Sequence, residues 1–517
     1  MTSFETGDKT VSAPLGASET LGDARPDAAG GTLLARFGRW WNRKGTPAEA
    51  NAANDGKTRT AAPATLSARV QRRQREELRL CFDARLTDSA ANAAAQAWRN
   101  EYEAADEPTR QAMLTLLAEV ANSGAQGDGA AEGATGGTTT GTASGTAGEG
   151  GKPGRNGSGL SHALSSARIR FFKRLAGLHG PSATSACGLH FIIHLRADML
   201  RWYKKIPGLR VLDEDLEGLL SNWFDVGLLE LQPITWDSPA SLLEKLIRYE
   251  AVHEIASWAD LRNRLDSDRR CYAFFHPRIP REPLIFVEVA FVPEMAANVQ
   301  SLLDEAAPQE DLRRVKWAIF YSISNTQPGL RGVSFGNFLL KRVIEELQRE
   351  FPKVKQFATL SPIPGFADWL RKQDGDTVAK VLGGKCMQRW SARAPAAGEA
   401  RPPAVPATGA EWLAALNAGS DDALVRDSGL ALAAHFLVHA RNGALPADPV
   451  ARFHLGNGAC VERLNWGADL SSKGRAQSCG MMVNYLYVPE ALDDNLAKLG
   501  EGNPRISRSV AKLLARS

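Results

Sequence analysis

The sequence predicts a helical region followed by a mixed α/β domain. Apolar residues recur at helical spacing between charges from about residue 66 to 122, with no strand signal among them, and again from near Leu160 to about 232. After Pro233, strand-like apolar runs alternate with amphipathic segments. A chain of 517 residues also exceeds what one hydrophobic core ordinarily organises, so two domains joined to irregular segments are expected.

Residues 1–65 are rich in Gly, Ala, Thr, Pro and Asp, a composition that buries too little apolar surface to offset chain entropy, and are expected to be disordered. The aromatic cluster of Phe37, Trp40 and Trp41 breaks this pattern, either as a segment docked on the body or as a short interaction segment. The runs RVQRRQREELRLCFDARL and TRQAMLTLLAEVAN make residues 66–122 helical. Residues 123–159 collapse into Gly, Thr, Ala and Ser and read as a flexible insertion. Helical patterning resumes near Leu160 through IRFFKRLAGL, CGLHFIIHLRADMLRWYKK and DEDLEGLLSNWFDVGLLEL, so 66–232 form one interrupted helical domain of architectural role.

In the second domain, 233–517, strands are expected at 284–292 (LIFVEVAFV), 317–324 (WAIFYSIS) and 354–360 (VKQFATL). Residues 336–351 form the strongest helix, with Leu339, Leu340, Val343, Ile344, Leu347 and Phe351 on one face and Arg342, Glu345 and Arg349 on the other. Further strands are expected at 458–466 and 481–488, and the Pro/Ala-rich stretch 394–409 reads as a loop or insertion.

Composition narrows the class without naming a partner. Hydrophobic residues at 44% and charged residues at 23% are globular values, which disfavours collagen-like, wholly disordered and membrane chains. A net charge of +4, from 62 basic and 58 acidic residues, lacks the excess typical of nucleic-acid binding. The six cysteines, Cys81, Cys187, Cys271, Cys386, Cys460 and Cys479, include no CxxC pair and are expected to be reduced thiols. His435 and His439 lie four apart on one apolar helix with no third ligand at metal spacing, so no metal site is expected. The polar N-terminus and the absence of an apolar stretch of about 18 residues point to the cytoplasm, and the terminal Ala515-Arg516-Ser517 is not a peroxisomal SKL address.

Between the strand WAIFYSIS and the amphipathic helix lies NTQPGLRGVSFGN, which places Gly329, Gly332 and Gly336 before a helix N-terminus. Free backbone N–H groups and the positive helix end there suit an anion such as a pyrophosphate, and Arg331 can add a charged contact. An ordinary glycine-rich connection is the alternative, since the spacing is neither a Walker A nor a Rossmann fingerprint. The segment resembles the coenzyme A loop of GNAT-type acyltransferases, which implies an acyl-CoA ligand.

Longer motifs sharpen that resemblance. FYSISNTQPGLRGVSFGNFLLKRVIEELQREFP at 320–352, LSPIPGFADWL at 360–370, DPVARFHLGNGACVERLNWGADLS at 448–471 and SCGMMVNYLYV at 478–488 resemble, in order, malonyl-CoA decarboxylases. A weaker likeness extends upstream through PITWDSPASLLEKLIRYEAVHEIASWADLRNR. The resemblance implies a helical oligomerisation domain followed by a GNAT-type catalytic domain that converts malonyl-CoA to acetyl-CoA and CO2. It maps the catalytic pair to Ser361 and His454, a third active-site residue to Tyr487, and the coenzyme-binding loop to Arg331, Gly332, Val333, Ser334, Phe335, Gly336 and Asn337. Malonyl-CoA is then the partner, with no separate cofactor, and the chain is expected to form a homo-oligomer, a dimer or a tetramer, without nucleic-acid or membrane partners.

The residues are chemically suited to that reaction. Loss of CO2 from a malonyl thioester leaves an enolate whose charge rests on the thioester oxygen, so the site must orient the carboxylate, stabilise that oxygen and return a proton to carbon. Ser361 stands at a strand end stiffened by Pro362 and Pro364, although the same position suits a turn serine capping a helix near Phe366. His454 can serve as base for Ser361 or, near its ordinary pKa, as the acid that protonates the enolate, and it can equally be a structural imidazole. Tyr487 in an alternating strand is as readily a packing residue as a catalytic one. Acyl transfer to an amine acceptor and a non-catalytic acyl-CoA scaffold are the competing functions.

Overall fold

The computed structural model describes residues 66–83, 87–123, 155–178, 187–333, 339–392, 405–418 and 422–515. The expected disordered segment 1–65 lies outside these residues, as do 124–154 of the glycine-rich stretch and 394–404 of the Pro/Ala-rich one.

Among the described residues six helices build the first region: α1 (Ala68–Phe82), α2 (Asp88–Ala104), α3 (Glu107–Ser123), α4 (Arg155–Gly177), α5 (Gly188–Trp202) and α6 (Leu209–Trp223). Ser67 and Thr87 cap α1 and α2 by accepting from the Val70 and Ala90 amides. Each helix then buries one stripe. In α2 the stripe is Ala91, Ala94, Ala95, Trp98 and Tyr102, spaced at three and four residues. The Trp98 ring meets Phe171 of α4 at 5.7 Å and Phe191 of α5 at 6.5 Å between centroids, so aromatic side chains knit the bundle. The flexible reading of 123–159 is corrected at its end, because α4 already begins at Arg155. The apolar stripe downstream propagates the helix back through Gly157 and Gly159, whose helix cost of about 1 kcal/mol each the packing outweighs.

An eight-stranded sheet follows, in the order β1-β2-β3-β4-β5-β10-β6 with β9 also paired to β10. Its strands are β1 (Glu230–Ile234), β2 (Arg269–Phe275), β3 (Ile285–Val292), β4 (Trp317–Asn325), β5 (Gln356–Thr359), β6 (Ser361–Pro362), β9 (Cys460–Asn465) and β10 (Met482–Tyr487), while β7 (Arg441–Asn442) and β8 (Leu445–Pro446) form a separate hairpin. The domain boundary read at 232/233 falls inside β1, where Pro233 pairs with Tyr272. An edge strand tolerates proline, whose missing N–H is not needed on the outer side. Neither β1 nor β2 was expected from the sequence.

Both faces of the sheet are covered, which explains the near-continuous apolar runs. Along β3, Ile285, Val287, Val289 and Phe291 join the large core shared with the helices, while Phe286 faces a smaller core under α7 (Ala240–Tyr249) and α8 (Trp258–Arg264). Glu288, alone among these apolar side chains, is paired with Arg264 at 3.2 Å. Burial first, and then the nearby Glu250 carboxylate, push Glu288 up to about 8. The expected long helix is present as α9 (Leu339–Glu350), numbering past the single turn at Gln300–Leu303, and it buries Leu339, Leu340, Val343, Ile344 and Leu347. Each such side chain contributes roughly 1.5–3 kcal/mol by leaving water. The strand, glycine-containing turn and long helix expected from the sequence are therefore β4, Pro328–Leu330 and α9.

One break in this sheet creates the site. β4 and β5 pair in parallel from Trp317↔Gln356 to Phe320↔Thr359 and no further. There β4 carries a bulge: Glu288 faces Ser322 and Val289 faces Phe320, leaving Tyr321 unpaired. β4 continues along β3 to Asn325, while the segment from β5 to β6 stays along β10, through Tyr487↔Phe357 and then Val483↔Ser361. The two strands splay apart, and a cleft opens between them.

After β6 come α10 (Phe366–Arg371), α11 (Gly375–Ser391), α12 (Gly409–Ala418) and α13 (Ala423–His439), then α14 (Pro449–Gly456). The stretch read as a loop to residue 409 ends one residue earlier, because Gly409 opens α12. Only glycine fits there: a Cβ would stand 1.9 Å from the Leu370 carbonyl oxygen.

Candidate active site

Ser361 reaches the cleft through strand alternation. Phe357, Thr359 and Ser361 point to one face, while Ala358 and Leu360 pack into a core on the other. The Leu360 N–H donates to the Phe320 carbonyl at 3.0 Å, which holds the strand end at the mouth of the splay. Ser361 is buried, and its Oγ lies 2.9 Å from Thr359 Oγ1 and 3.1 Å from His454 Nε2. The helix-capping alternative is not realised, since Gly365 occupies the cap of α10.

His454 comes from the last turn of α14. Asp448 caps that helix, accepting from the Val450 amide at 2.9 Å and the Ala451 amide at 2.8 Å, and Pro449 supplies a preset first helical residue. The second carboxylate oxygen of Asp448 accepts from the Gly365 N–H at 3.1 Å. One buried side chain thus ties the loop after Ser361 to the helix bearing His454. The imidazole stacks on Tyr485 with ring centroids 4.6 Å apart, and its Nδ1 lies 2.8 Å from the Tyr487 hydroxyl. Tyr485 and Tyr487, two apart on β10, share a face just as Thr359 and Ser361 do.

Electrostatics corrects one expectation. Burial without a charged neighbour pushes the His454 imidazole down to about 3, so it is neutral in the free protein rather than near its ordinary pKa. Burial likewise holds the Tyr487 phenol well above its usual value, so it keeps its proton. A neutral imidazole carries one N–H, and two arrangements satisfy the chain. Either Tyr487 donates to Nδ1 while Nε2–H donates to Ser361 and Ser361 donates to Thr359, or Ser361 donates to Nε2 while Nδ1–H donates to Tyr487. A proton can be relayed between the two ends of this chain.

Two adjoining cavities meet these groups. A cavity of about 250 Å³ is lined by Ser361 and His454 together with Phe320, Ile323, Pro362, Val450 and Phe453. The bulge explains part of its wall, because it lets Phe320 and Ile323, three apart, serve the same face. A larger cavity of about 510 Å³ is lined by Gln327, Leu330, Arg331, Gly332, Val333, Arg452 and Asn457, and shares Asn325 and Phe453 with the first. Of the expected coenzyme loop, Arg331, Gly332 and Val333 thus line the larger cavity. Ser334, Phe335, Gly336 and Asn337 lie outside the described residues. Gly332 has φ +87°, a left-handed conformation that favours glycine.

Ser361, His454 and Tyr487 are therefore brought together. Thr359, Tyr485 and Asp448 join them and were missed, although each carries a local signal: Thr359 and Tyr485 stand two residues before chosen ones in the same extended run, and Asp448-Pro449 is a helix-start pair. His435 and His439 sit on α13 with rings 5.0 Å apart. Among the described residues no group of three His, Cys, Asp or Glu side chains is placed to hold a metal, and no helix is long and apolar enough to cross a membrane.

The chain as a whole is similar to known proteins. Residues 227–517 match the family model described as malonyl-CoA decarboxylase C-terminal domain, and 147–224 match that of the N-terminal domain. The mitochondrial malonyl-CoA decarboxylase of Mus musculus is 36% identical over 377 residues, covering 70% of this chain and 75% of that protein. The crystal structure of malonyl-CoA decarboxylase from Cupriavidus metallidurans is 70% identical with a TM-score of 0.71, covering 86% of this chain and 100% of that one. The enzyme from Rhodopseudomonas palustris is 35% identical with a TM-score of 0.64 over the same shares. With more than half its length matched by the C-terminal family model, the chain belongs to the malonyl-CoA decarboxylase family, a family of carboxy-lyases.

Proposed function

We propose that this chain decarboxylates malonyl-CoA to acetyl-CoA through a thioester enolate, with Ser361 and His454 as its catalytic pair. The observation that carries the reading is the 3.1 Å contact between Ser361 Oγ and His454 Nε2 at the wall of the smaller cavity. In this reading the coenzyme lies along the larger cavity and the 331–337 loop, and the malonyl group enters the splay between β4 and β6.

The bound carboxylate hydrogen-bonds Ser361, and its negative charge in a largely apolar cavity raises His454, so a proton is taken up with the substrate. The bond between the carboxylate carbon and Cα then breaks, CO2 leaves, and the electron pair passes into the enolate. His454 gives its Nε2 proton, by way of the Ser361 hydroxyl, to Cα, which returns the imidazole to neutrality. Tyr487 accepts from Nδ1–H while the imidazolium exists and fixes the ring plane. One proton is consumed per turnover. The enolate charge rests on the thioester oxygen, and no separate cofactor enters the scheme.

Incubation of the purified protein with malonyl-CoA, with and without an amine acceptor, tests the reading. CO2 release independent of the acceptor supports it. Acetylation or malonylation of the amine without CO2 release would identify an acyltransferase, and binding without turnover a scaffold. Self-association through the helical region belongs to the same proposal and draws on exposed Leu80, Tyr203 and Val211, and light scattering decides between a monomer, a dimer and a tetramer. A cytoplasmic location is also proposed. The mouse and rat relatives are described as mitochondrial, so fractionation of cells is its test.

A further inference from the structure

The helical region reaches the turn that lines the larger cavity. Helix α5 lies against Pro328–Leu330 so closely that a Cβ on Gly329 would stand 1.8 Å from the Ile193 carbonyl oxygen. One helical turn on, Arg196 is 0% exposed. Its Nη1 donates to the carbonyls of Gly329 and Arg331, each at 2.8 Å. Its Nε donates to Asp213 at 2.8 Å and its Nη2 to Glu217 at 2.7 Å, both carboxylates on α6. A buried guanidinium so fully engaged is a fixed fork.

We infer that Arg196 is a positioning residue for the coenzyme: it holds the 329–332 turn in the shape that receives the pyrophosphate of an acyl-CoA. This rests on the reading of that turn as the coenzyme loop. Two physical effects support it. A trans peptide sends its C=O and N–H in opposite directions, so anchoring the Arg331 carbonyl on Arg196 turns the Gly332 N–H away from it. That N–H has no hydrogen-bond partner among the described residues, and Gly332 lines the cavity. The second effect is charge. The Glu217 carboxylate lies 3.3 Å from where a Cβ of Gly332 would be, and its 2.7 Å ion pair with Arg196, which Asp213 shares, offsets part of its repulsion of a phosphate.

The test compares malonyl-CoA with malonyl-pantetheine, which ends before the pyrophosphate. Arg196→Lys keeps a charge but loses the fork. The neutral triple variant Arg196→Met, Asp213→Asn, Glu217→Gln removes the clamp without leaving a buried charge unpaired. In both, kcat/KM for malonyl-CoA is expected to fall by about tenfold or more through KM, with kcat and the pantetheine substrate within about twofold of wild type. Equal losses on both substrates, or an unchanged KM for malonyl-CoA, would overturn the assignment. Titration calorimetry with CoA and with pantetheine reads the same contrast without turnover, so a failure of the decarboxylase reading alone leaves it intact. Wild-type protein that binds the two alike would remove the coenzyme-loop reading and the role of Arg196 together.

Discussion

The Asp448 carboxylate accepts the Gly365 amide proton at 3.1 Å while capping the helix that carries His454, so one side chain sets the distance between Ser361 and His454. Burial raises this carboxyl above its ordinary value, against the pull of the three amides that it accepts from. Asp448→Ala is expected to lose the cap, at about 1 kcal/mol, and to leave the Gly365 N–H unpaired, at about 1–3 kcal/mol. Thermal unfolding and kcat measured together check this. Both should fall, and Asp448→Asn, which keeps one accepting oxygen for the cap, should fall less.

Ser361→Ala and His454→Ala remove the two ends of the 3.1 Å contact. Each is expected to lower kcat by about 10²–10⁴-fold, the range for a positioned proton-transfer group. The double variant should lose little more than either single one, because groups acting as a unit are not additive. Undiminished CO2 release from both single variants would eliminate the pair.

Tyr487→Phe separates packing from chemistry. The ring still packs against Phe320, while the hydroxyl at 2.8 Å from His454 Nδ1 is gone. A drop in kcat of about tenfold is expected, a typical loss for a group that orients a ligand's ring nitrogen, with stability reduced by about 1 kcal/mol. Wild-type turnover in this variant would make Tyr487 a core residue and nothing more.

Stability should depend on pH through His454. Its pKa is about 3 in the folded chain, below the ordinary histidine value of about 6.5 in the unfolded one. Between these values the unfolded chain binds the proton and the folded chain does not. The stability contribution is therefore present above about pH 6.5 and is lost as pH falls toward 3, by about 1.4 kcal/mol per pH unit. His253, pushed down to about 4 by burial, adds in the same direction. Urea unfolding of the wild type and of His454→Gln between pH 5 and 7.5 checks the sign. The variant's stability should fall less steeply toward acid.

Much of this was legible in the chain because it depends on local pattern. The apolar stripe at 339–347 follows from the 3.6-residue period and β3, β4 and β10 from short, near-continuous apolar runs, patterns read from neighbouring residues alone. β1 and β2 were not seen. Pro233 reads locally as a breaker, and only pairing with Tyr272 makes its segment a strand. The start of α4 in a glycine-rich stretch has the same origin, since packing of the downstream stripe outweighs propensity.

The sequence by itself determined the two-part architecture, the turn carrying Gly329 and Gly332, and, through long motifs, the choice of Ser361, His454 and Tyr487. Tertiary structure decided what these residues can do. Ser361 and His454 stand 93 positions apart in the chain, and the distance between them follows from a strand that leaves its neighbour after Phe320 and a helix pinned by Asp448. The same is true of the neutral state of His454, because a pKa records the burial that packing imposes rather than the residue type. Arg196 belongs here too: in the sequence it is one arginine on an amphipathic helix, and only the close approach of Gly329 brings it to the turn.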